Sequence, residues 1–185
     1  MFPVVLDACV LFPMYLRDTL LSTADLGLYM PFWSQRILDE AMRNLVQKGK
    51  ITAEKATNLE RVMKAAFVES MVEVPGELEE VMTNHPKDRH VLATAVMAKA
   101  NTIVTNNLID FNAEALNPWN VIALSPDEFL SQLFDVYPLE MVQVVQKQSR
   151  RYKKRPLSVD DLLDLLSKKD GANLVNFVIK VSSCF

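Results

Sequence analysis

The sequence predicts an α/β fold: a three-layer α/β/α sandwich on a central parallel sheet, plus a small C-terminal helical extension. Two observations carry this. Short apolar runs rich in β-branched residues alternate with longer amphipathic stretches, the pattern of a parallel sheet whose crossovers are helices. Half of the 185 residues are hydrophobic, enough for one packed domain with an appendage, while the length is too short for two full domains.

Residues 3–7 read as the first strand, buried on both faces because Pro3, Val4, Val5 and Leu6 are apolar without alternation. A helix over 14–26 follows, with Leu16, Leu20, Leu21 and Ala24 on one face. Residues 28–32 give a second strand. Ser34 caps a helix that turns Ile37, Leu38, Ala41 and Leu45 inward and ends at Gly49. Thr52 caps the next helix, over 52–71, and 72–74 is a brief extended piece. Residues 86–100 enter a helix through Pro86 and carry an inner stripe of Leu92, Ala95, Val96 and the stem of Lys99. Strands over 102–105 and 121–124 complete the sheet, the second followed by a helix with Ser125 and Glu128 as a capping box.

Pro138 opens a helix that becomes basic in "KQSRRYKKR", residues 147–155, and stops at Pro156. Ser158 and Asp161 form the capping box of the next helix, whose inward face is Leu162, Leu163, Leu165 and Leu166 and whose terminator is Gly171; "ANLVNFVIKVSSCF" forms one more. The expected division is residues 1–137 as the α/β domain and 138–185 as the basic helix and helical hairpin. That hairpin packs on the domain, makes a dimer or receives a partner.

The net charge of −3 hides an asymmetry: from Lys147 onward nine Lys/Arg stand against four Asp/Glu, so that segment carries +5 and the remainder −8. The basic run reads equally as a solvated linker or as a phosphate-binding stretch. Cys9 and Cys184 lack metal-ligand spacing and are expected as free thiols. No apolar run approaches the roughly 20 residues that span a bilayer, and the opening residues lack a basic n-region, so a cytoplasmic protein without a membrane partner is expected.

Asp7 is the residue that needs explaining. It stands where the first strand leaves the sheet, the edge at which parallel sheets bind ligands, and its flanks are apolar. A buried carboxylate without a partner costs several kcal/mol, and the nearest cation in sequence, Arg17, is ten residues on, past the first turn of the following helix. Glu40, Asp88 and Asp110 stand in comparable places. Each alone has a plain reading: Asp88 favours a helix N-terminus, and Glu40 pairs with Arg36 or Arg43. Acids that converge repel one another unless a divalent ion neutralises them, and hard oxygen ligands suit Mg²⁺ or Mn²⁺.

Four segments, "VVLDACVLFP" at 4–13, "WSQRILDEAMRNL" at 33–45, "DRHVLATAV" at 88–96 and "IVTNNLIDF" at 103–111, resemble the PIN-domain family in its VapC-like toxin branch of metal-dependent ribonucleases. The resemblance covers about residues 1–135 in the right order. It implies Asp7, Glu40 and Asp88 as the core catalytic, metal-holding carboxylates, with Asp110 as the fourth. It also implies Mg²⁺ or Mn²⁺, an RNA substrate, an antitoxin peptide over the acidic groove, and a homodimer that exposed leucines of the C-terminal hairpin would suit. Two positions depart from the family pattern. Cys9 stands where Ser, Thr or Asn is common, and Thr105-Asn106-Asn107 replaces T-N-D, so either Asp110 swings into the site or Asn107 binds through its carbonyl.

Among secondary candidates, Thr105 either orients an acid through its hydroxyl or is an ordinary strand threonine. Arg17 and Arg89 are expected to pair with Asp18 and Asp88, His90 to be structural, and Phe32 and Trp33 to plug the core. Arg150, Arg151, Lys153, Lys154 and Arg155 form the only dense positive stretch, which an acidic protein holding RNA phosphates needs. The function implied is a metal-dependent endoribonuclease, the toxin of a toxin-antitoxin pair. The alternative is a nucleic-acid-binding PIN domain with weak or lost activity. A phosphohydrolase of the haloacid dehalogenase kind needs a second Asp where Cys9 stands, which excludes it.

Overall fold

Val4, Val5 and Leu6 are consecutive and all fully buried, although neighbouring strand side chains point to opposite faces. Such a strand lies at the centre of a sheet covered on both sides. A computed structural model, which describes residues 1–152, 156–168 and 172–185, shows that arrangement. The described strands are β1 (Pro3–Leu6), β2 (Met30–Ser34), β3 (Met71–Val72), β4 (Thr102–Val104) and β5 (Ile122–Leu124). All are parallel, in the order β3-β2-β1-β4-β5, with Val5 opposite Phe32 on one side and Ile103 on the other.

The chain winds outward from β1 through β2 to β3, then returns to β4 on the other side of β1. The switch point therefore lies between the ends of β1 and β4, where open α/β sheets bind ligands. Asp7 follows β1, and Thr105, Asn106 and Asn107 follow β4. Topology alone brings residues about a hundred positions apart to one rim.

The helices that close the three-layer α/β/α sandwich are α1 (Ala8–Leu11), α2 (Met14–Asp25), α3 (Gln35–Gln47), α4 (Ala53–Ala66), α5 (Gly76–Glu80), α6 (Arg89–Met97), α7 (Ala113–Leu116) and α8 (Pro126–Val136). Their starts follow local chemistry. Ser34 accepts from the Ile37 N–H, Thr52 from Lys55 and Asn112 from Ala115, and Ser125 with Glu128 makes the full capping box.

Several boundaries differ from the sequence expectation, each for a tertiary or backbone reason. The second strand starts at Met30, not at 28, because Gly27 turns at φ +77° and Met30 N–H then pairs with the Phe2 carbonyl. The helix expected to reach 71 stops at Ala66, where Phe67 leaves the helical region and packs edge-on against the buried Trp33. The helix expected over 86–100 begins as a 3₁₀ turn at Pro86–Asp88 and ends at Met97. Lys99 takes a left-handed conformation at φ +53° with its side chain exposed, so its stem is no part of the buried stripe. Trp33 is fully buried, whereas Phe32 is only partly so. The short α1, α5 and α7 have no counterpart in the sequence expectation.

The C-terminal helices are α9 (Pro138–Arg151), α10 (Val159–Ser167) and α11 (Val175–Ser182). Of the three roles open to the hairpin, the structure shows it packed on the rest of the chain. Gln148 of α9 is fully buried; its carbonyl accepts from Thr19 Oγ1 at 2.8 Å and its amide donates to the Tyr15 carbonyl at 3.0 Å. These bonds fasten α9 to α2. Asp127 of α8 accepts from the N–H groups of Asn176 and Phe177, satisfying the start of α11. Leu162, Leu163 and Leu166 of the expected inward face are buried, and Leu165 is partly so. Gly171, expected to end α10, lies outside the described residues. No described helix is long and apolar enough to cross a membrane.

Candidate active site

Asp7 emerges from β1 as the N-cap of α1, and its carboxylate, 5% exposed, does not cap that helix. It turns instead to β4: Thr105 Oγ1 donates to Asp7 Oδ2 at 2.7 Å, and Cys9 Sγ donates to the same oxygen at 3.2 Å. The Asn106 N–H donates to Cys9 Sγ and the Asn107 N–H to Thr105 Oγ1, which fixes both donors. Burial first, and Asp7 second, push the Cys9 thiol well above its usual range, so it stays protonated and able to donate. Cys9 thus donates to Asp7 from the position where Ser, Thr or Asn is common in the family. Cys9 and Cys184 are both free.

Asp88 sits at the junction of the 3₁₀ turn and α6, and Asp110 at the end of a 3₁₀ turn, Leu108–Asp110, after β4. The amide of Asn107 donates to both carboxylates, at 3.4 Å to Asp88 and in close contact with Asp110. Of the two sequence alternatives, the geometry brings Asp110 inward, and Asn107 holds it there. Burial pushes Asp88 up to about 6, helped by Asp7, Asp110 and Glu40 in that order. Glu40, on α3, is also pushed up, first by burial and then by Asp7, while Arg43 and Arg36 pull it back. Asp88 thus feels the charge of the other three acids, and Glu40 that of Asp7.

Their closeness is uneven. Asp88 and Asp110 form a compact group with His85, one ligand atom of each lying within 4.8 Å of the others. Asp7, just after β1, and Glu40, on α3, act on Asp88 through their charge without joining that group. His85 was missed in the sequence; the signal available was its place three residues before Asp88 in a Pro-nucleated turn. His90, expected as structural, is buried with Nε2 3.7 Å from Glu40 Oε2, and burial pushes it down to about 4, so a neutral imidazole stands behind that acid.

The arginine expectations do not hold. Arg17 feels the charge of Asp18 but makes no ion pair with it; its Nη1 donates instead to the Leu11 carbonyl at 2.8 Å, capping the end of α1. Asp18 instead accepts from Tyr152. Arg89 Nε reaches the Asn84 carbonyl rather than Asp88. Among the described residues no Lys or Arg ion-pairs with Asp7, Glu40, Asp88 or Asp110. An oxygen-rich set of acids, in which Asp88 and Glu40 have raised proton affinity and none ion-pairs with Lys or Arg among the described residues, fits a hard divalent cation.

A model of the PIN domain matches residues 3–108. The chain belongs to the PIN-domain family. A second model, the VapC50 C-terminal domain, matches residues 126–181, from the start of α8 through α11 of this PIN-domain protein. The chain is 41% identical over 109 residues to a Mycobacterium tuberculosis (strain ATCC 25618 / H37Rv) protein named "Putative ribonuclease VapC50"; the match covers 59% of this chain and 62% of that one, less than two thirds of its length. No solved structure gives a significant match.

Within the PIN site, Thr105 offers a direct test of how Asp7 is held. Thr105→Val keeps the strand shape and removes the 2.7 Å hydrogen bond. Loss of such an outer hydrogen bond weakens metal affinity about tenfold or more. Titration calorimetry with Mn²⁺ on the folded variant reads this out; an unchanged Kd would show the hydroxyl to be an ordinary strand threonine.

Proposed function

We propose that this PIN-domain protein is a metal-dependent endoribonuclease that hydrolyses RNA phosphodiester bonds, the toxin of a toxin-antitoxin pair. Asp7, Glu40, Asp88 and Asp110 would hold Mg²⁺ or Mn²⁺. The observation that carries this reading is the convergence of four carboxylates, without a Lys or Arg ion partner among the described residues, at the switch point of the sheet. The relative's name, with its ribonuclease label, supports an RNA substrate and a VapC-type role.

A divalent cation supplies positive charge where negative charge develops as the phosphodiester is attacked. The chain's own residues do the rest. Thr105 and Cys9 fix the direction of Asp7, Asn107 keeps Asp88 and Asp110 from splaying apart, and the neutral His90 sits behind Glu40 without adding a second positive charge. The alternative of a nucleic-acid binder with lost turnover rested on Cys9 and the missing T-N-D acid. Since Cys9 reaches Asp7 and Asp110 reaches the Asp88 group, the geometry favours the active reading.

Residues 1–137 serve as the nuclease domain and 138–185 as its helical extension. Of the proposed RNA contacts, Arg150 and Arg151 are exposed at the end of α9, with Arg151 also reaching Ser22; Lys153, Lys154 and Arg155 lie outside the described residues. An antitoxin segment would cover the acidic rim. Incubating the purified chain with single-stranded and structured RNA in Mg²⁺, Mn²⁺ or EDTA, beside Asp88→Ala, tests the proposal. Cleavage that needs metal and Asp88 is expected; cleavage that survives EDTA or the substitution defeats it.

A further inference from the structure

A cleft of about 740 Å³ has Cys9 and Asn106, neighbours of Asp7 and Thr105 in the chain, among its lining residues. Its volume lies in the range of small-ligand sites. The walls come from the start of α2, the turn after α3 and the C-terminal hairpin. They are apolar, with Phe12, Met14, Tyr15, Leu16, Ile51 and Leu165. Lys48, Lys50 and Lys168 also line the cleft and are exposed. Among the described residues no acidic side chain lines it.

Three features indicate what enters. Lys48 and Lys50 form no ion pair among the described residues; Lys48 rests over the Phe12 ring at 4.9 Å, while Lys168 is paired with Asp164. Arg17, 6% exposed, places a guanidinium in the wall and spends Nη1 on two carbonyls, with no ion pair among the described residues. Third, Cys9, whose thiol donates to Asp7, and Asn106, whose N–H donates to Cys9, line one end of the cleft. An apolar, aromatic-edged recess flanked by unpaired cations matches a nucleotide, whose base has an apolar face and whose phosphate is anionic. Since the carboxylates repel the RNA backbone, the strand needs positive charge on the side from which it arrives, and this cleft supplies it.

We infer that the cleft is the subsite for the RNA nucleotides next to the scissile bond: a base lodges against Phe12 and Tyr15, and the neighbouring phosphates rest on Lys48 and Lys50. This rests on the ribonuclease reading and adds how the strand is held. A protein segment of matching shape is the rival occupant.

The test uses the full chain and the double variant Lys48→Glu/Lys50→Glu, which alters two exposed side chains and leaves Gly49 and its φ of +63° in place. Cleavage of a labelled single-stranded RNA is followed against salt, and 4-thiouridine RNA is photo-crosslinked to Asp88→Asn protein, with the crosslinked peptides identified by mass spectrometry. The double variant is expected to raise KM about tenfold and lower the salt slope by about 1, with kcat little changed, because it removes binding shared by ground and transition states. Crosslinks are expected in residues 12–17. If the wild type cleaves RNA and the variant matches its KM, the subsite is overturned while the nuclease stands, and the cleft is left to a protein segment. If RNA crosslinks to residues 12–17 but no metal condition gives cleavage, the subsite stands and the nuclease reading falls. If RNA crosslinks only elsewhere, the subsite is wrong whatever the activity.

Discussion

Asp88→Asn is expected to lower RNA cleavage by about a thousandfold or more, the scale seen when one group that stabilises developing charge is lost, and to raise the melting temperature of the metal-free protein near neutral pH. Both effects have one cause. Burial and the neighbouring Asp7, Asp110 and Glu40 push the Asp88 carboxyl from 3.8 to about 6, so the fold prefers it protonated. A folded-state pKa raised above the unfolded one contributes stability that is fully present below about pH 4 and lost as pH climbs through about 6. The neutral amide of the Asp88→Asn protein carries no such charge at any of these pH values. In EDTA the two proteins should therefore melt alike near pH 4.5, and the variant should melt higher at pH 7.5. Mn²⁺ should raise the wild-type melting temperature at pH 7.5 by binding the folded state and should do so far less in the variant. Scanning fluorimetry at the two pH values, with and without Mn²⁺, checks this. A melting difference that ignores pH would mean that Asp88 carries no strained charge.

What could be read in advance follows the range of each cause. The capping boxes of Ser125 with Glu128 and Ser158 with Asp161 span three residues and stand as the sequence implied. Asp7 was legible because a carboxylate at the end of an unbroken apolar strand has few innocent uses. The parallel order of strands followed from alternation with helices. Features set by distant partners were not legible. Gln148 looked like one polar residue on a basic helix, yet it is buried against Thr19, which lies 129 positions earlier. Arg17 beside Asp18 suggested a local pair, but the end of α1 offered two carbonyls. The choice between Asp110 and Asn107 could not be made from spacing, because it depends on a 3₁₀ turn that points both side chains at Asp88. His85 enters the compact group through a second such turn.

Phe177→Ala is expected to destabilise the whole chain by about 3–5 kcal/mol, the usual cost of emptying a buried aromatic site. In a chain of this size that lowers the melting temperature by about 10 °C or more. Phe177 is fully buried where α11 packs on α8 and α9, and its N–H is held by Asp127. The shape of the transition matters as much as its midpoint. If the C-terminal helices were an independent unit, the variant would melt in two steps, with the α/β part unmoved. A single shifted transition is expected instead, because α9 is tied to α2 through the buried Gln148 and α11 to α8 through Asp127, so the hairpin cannot leave without exposing both polar groups and core. Below the new midpoint Mn²⁺ affinity should match the wild type, since Phe177 makes no hydrogen bond to the four carboxylates or the residues that hold them. Calorimetry with Mn²⁺ titration separates the cases; two resolved transitions would show that residues 138–185 fold on their own account.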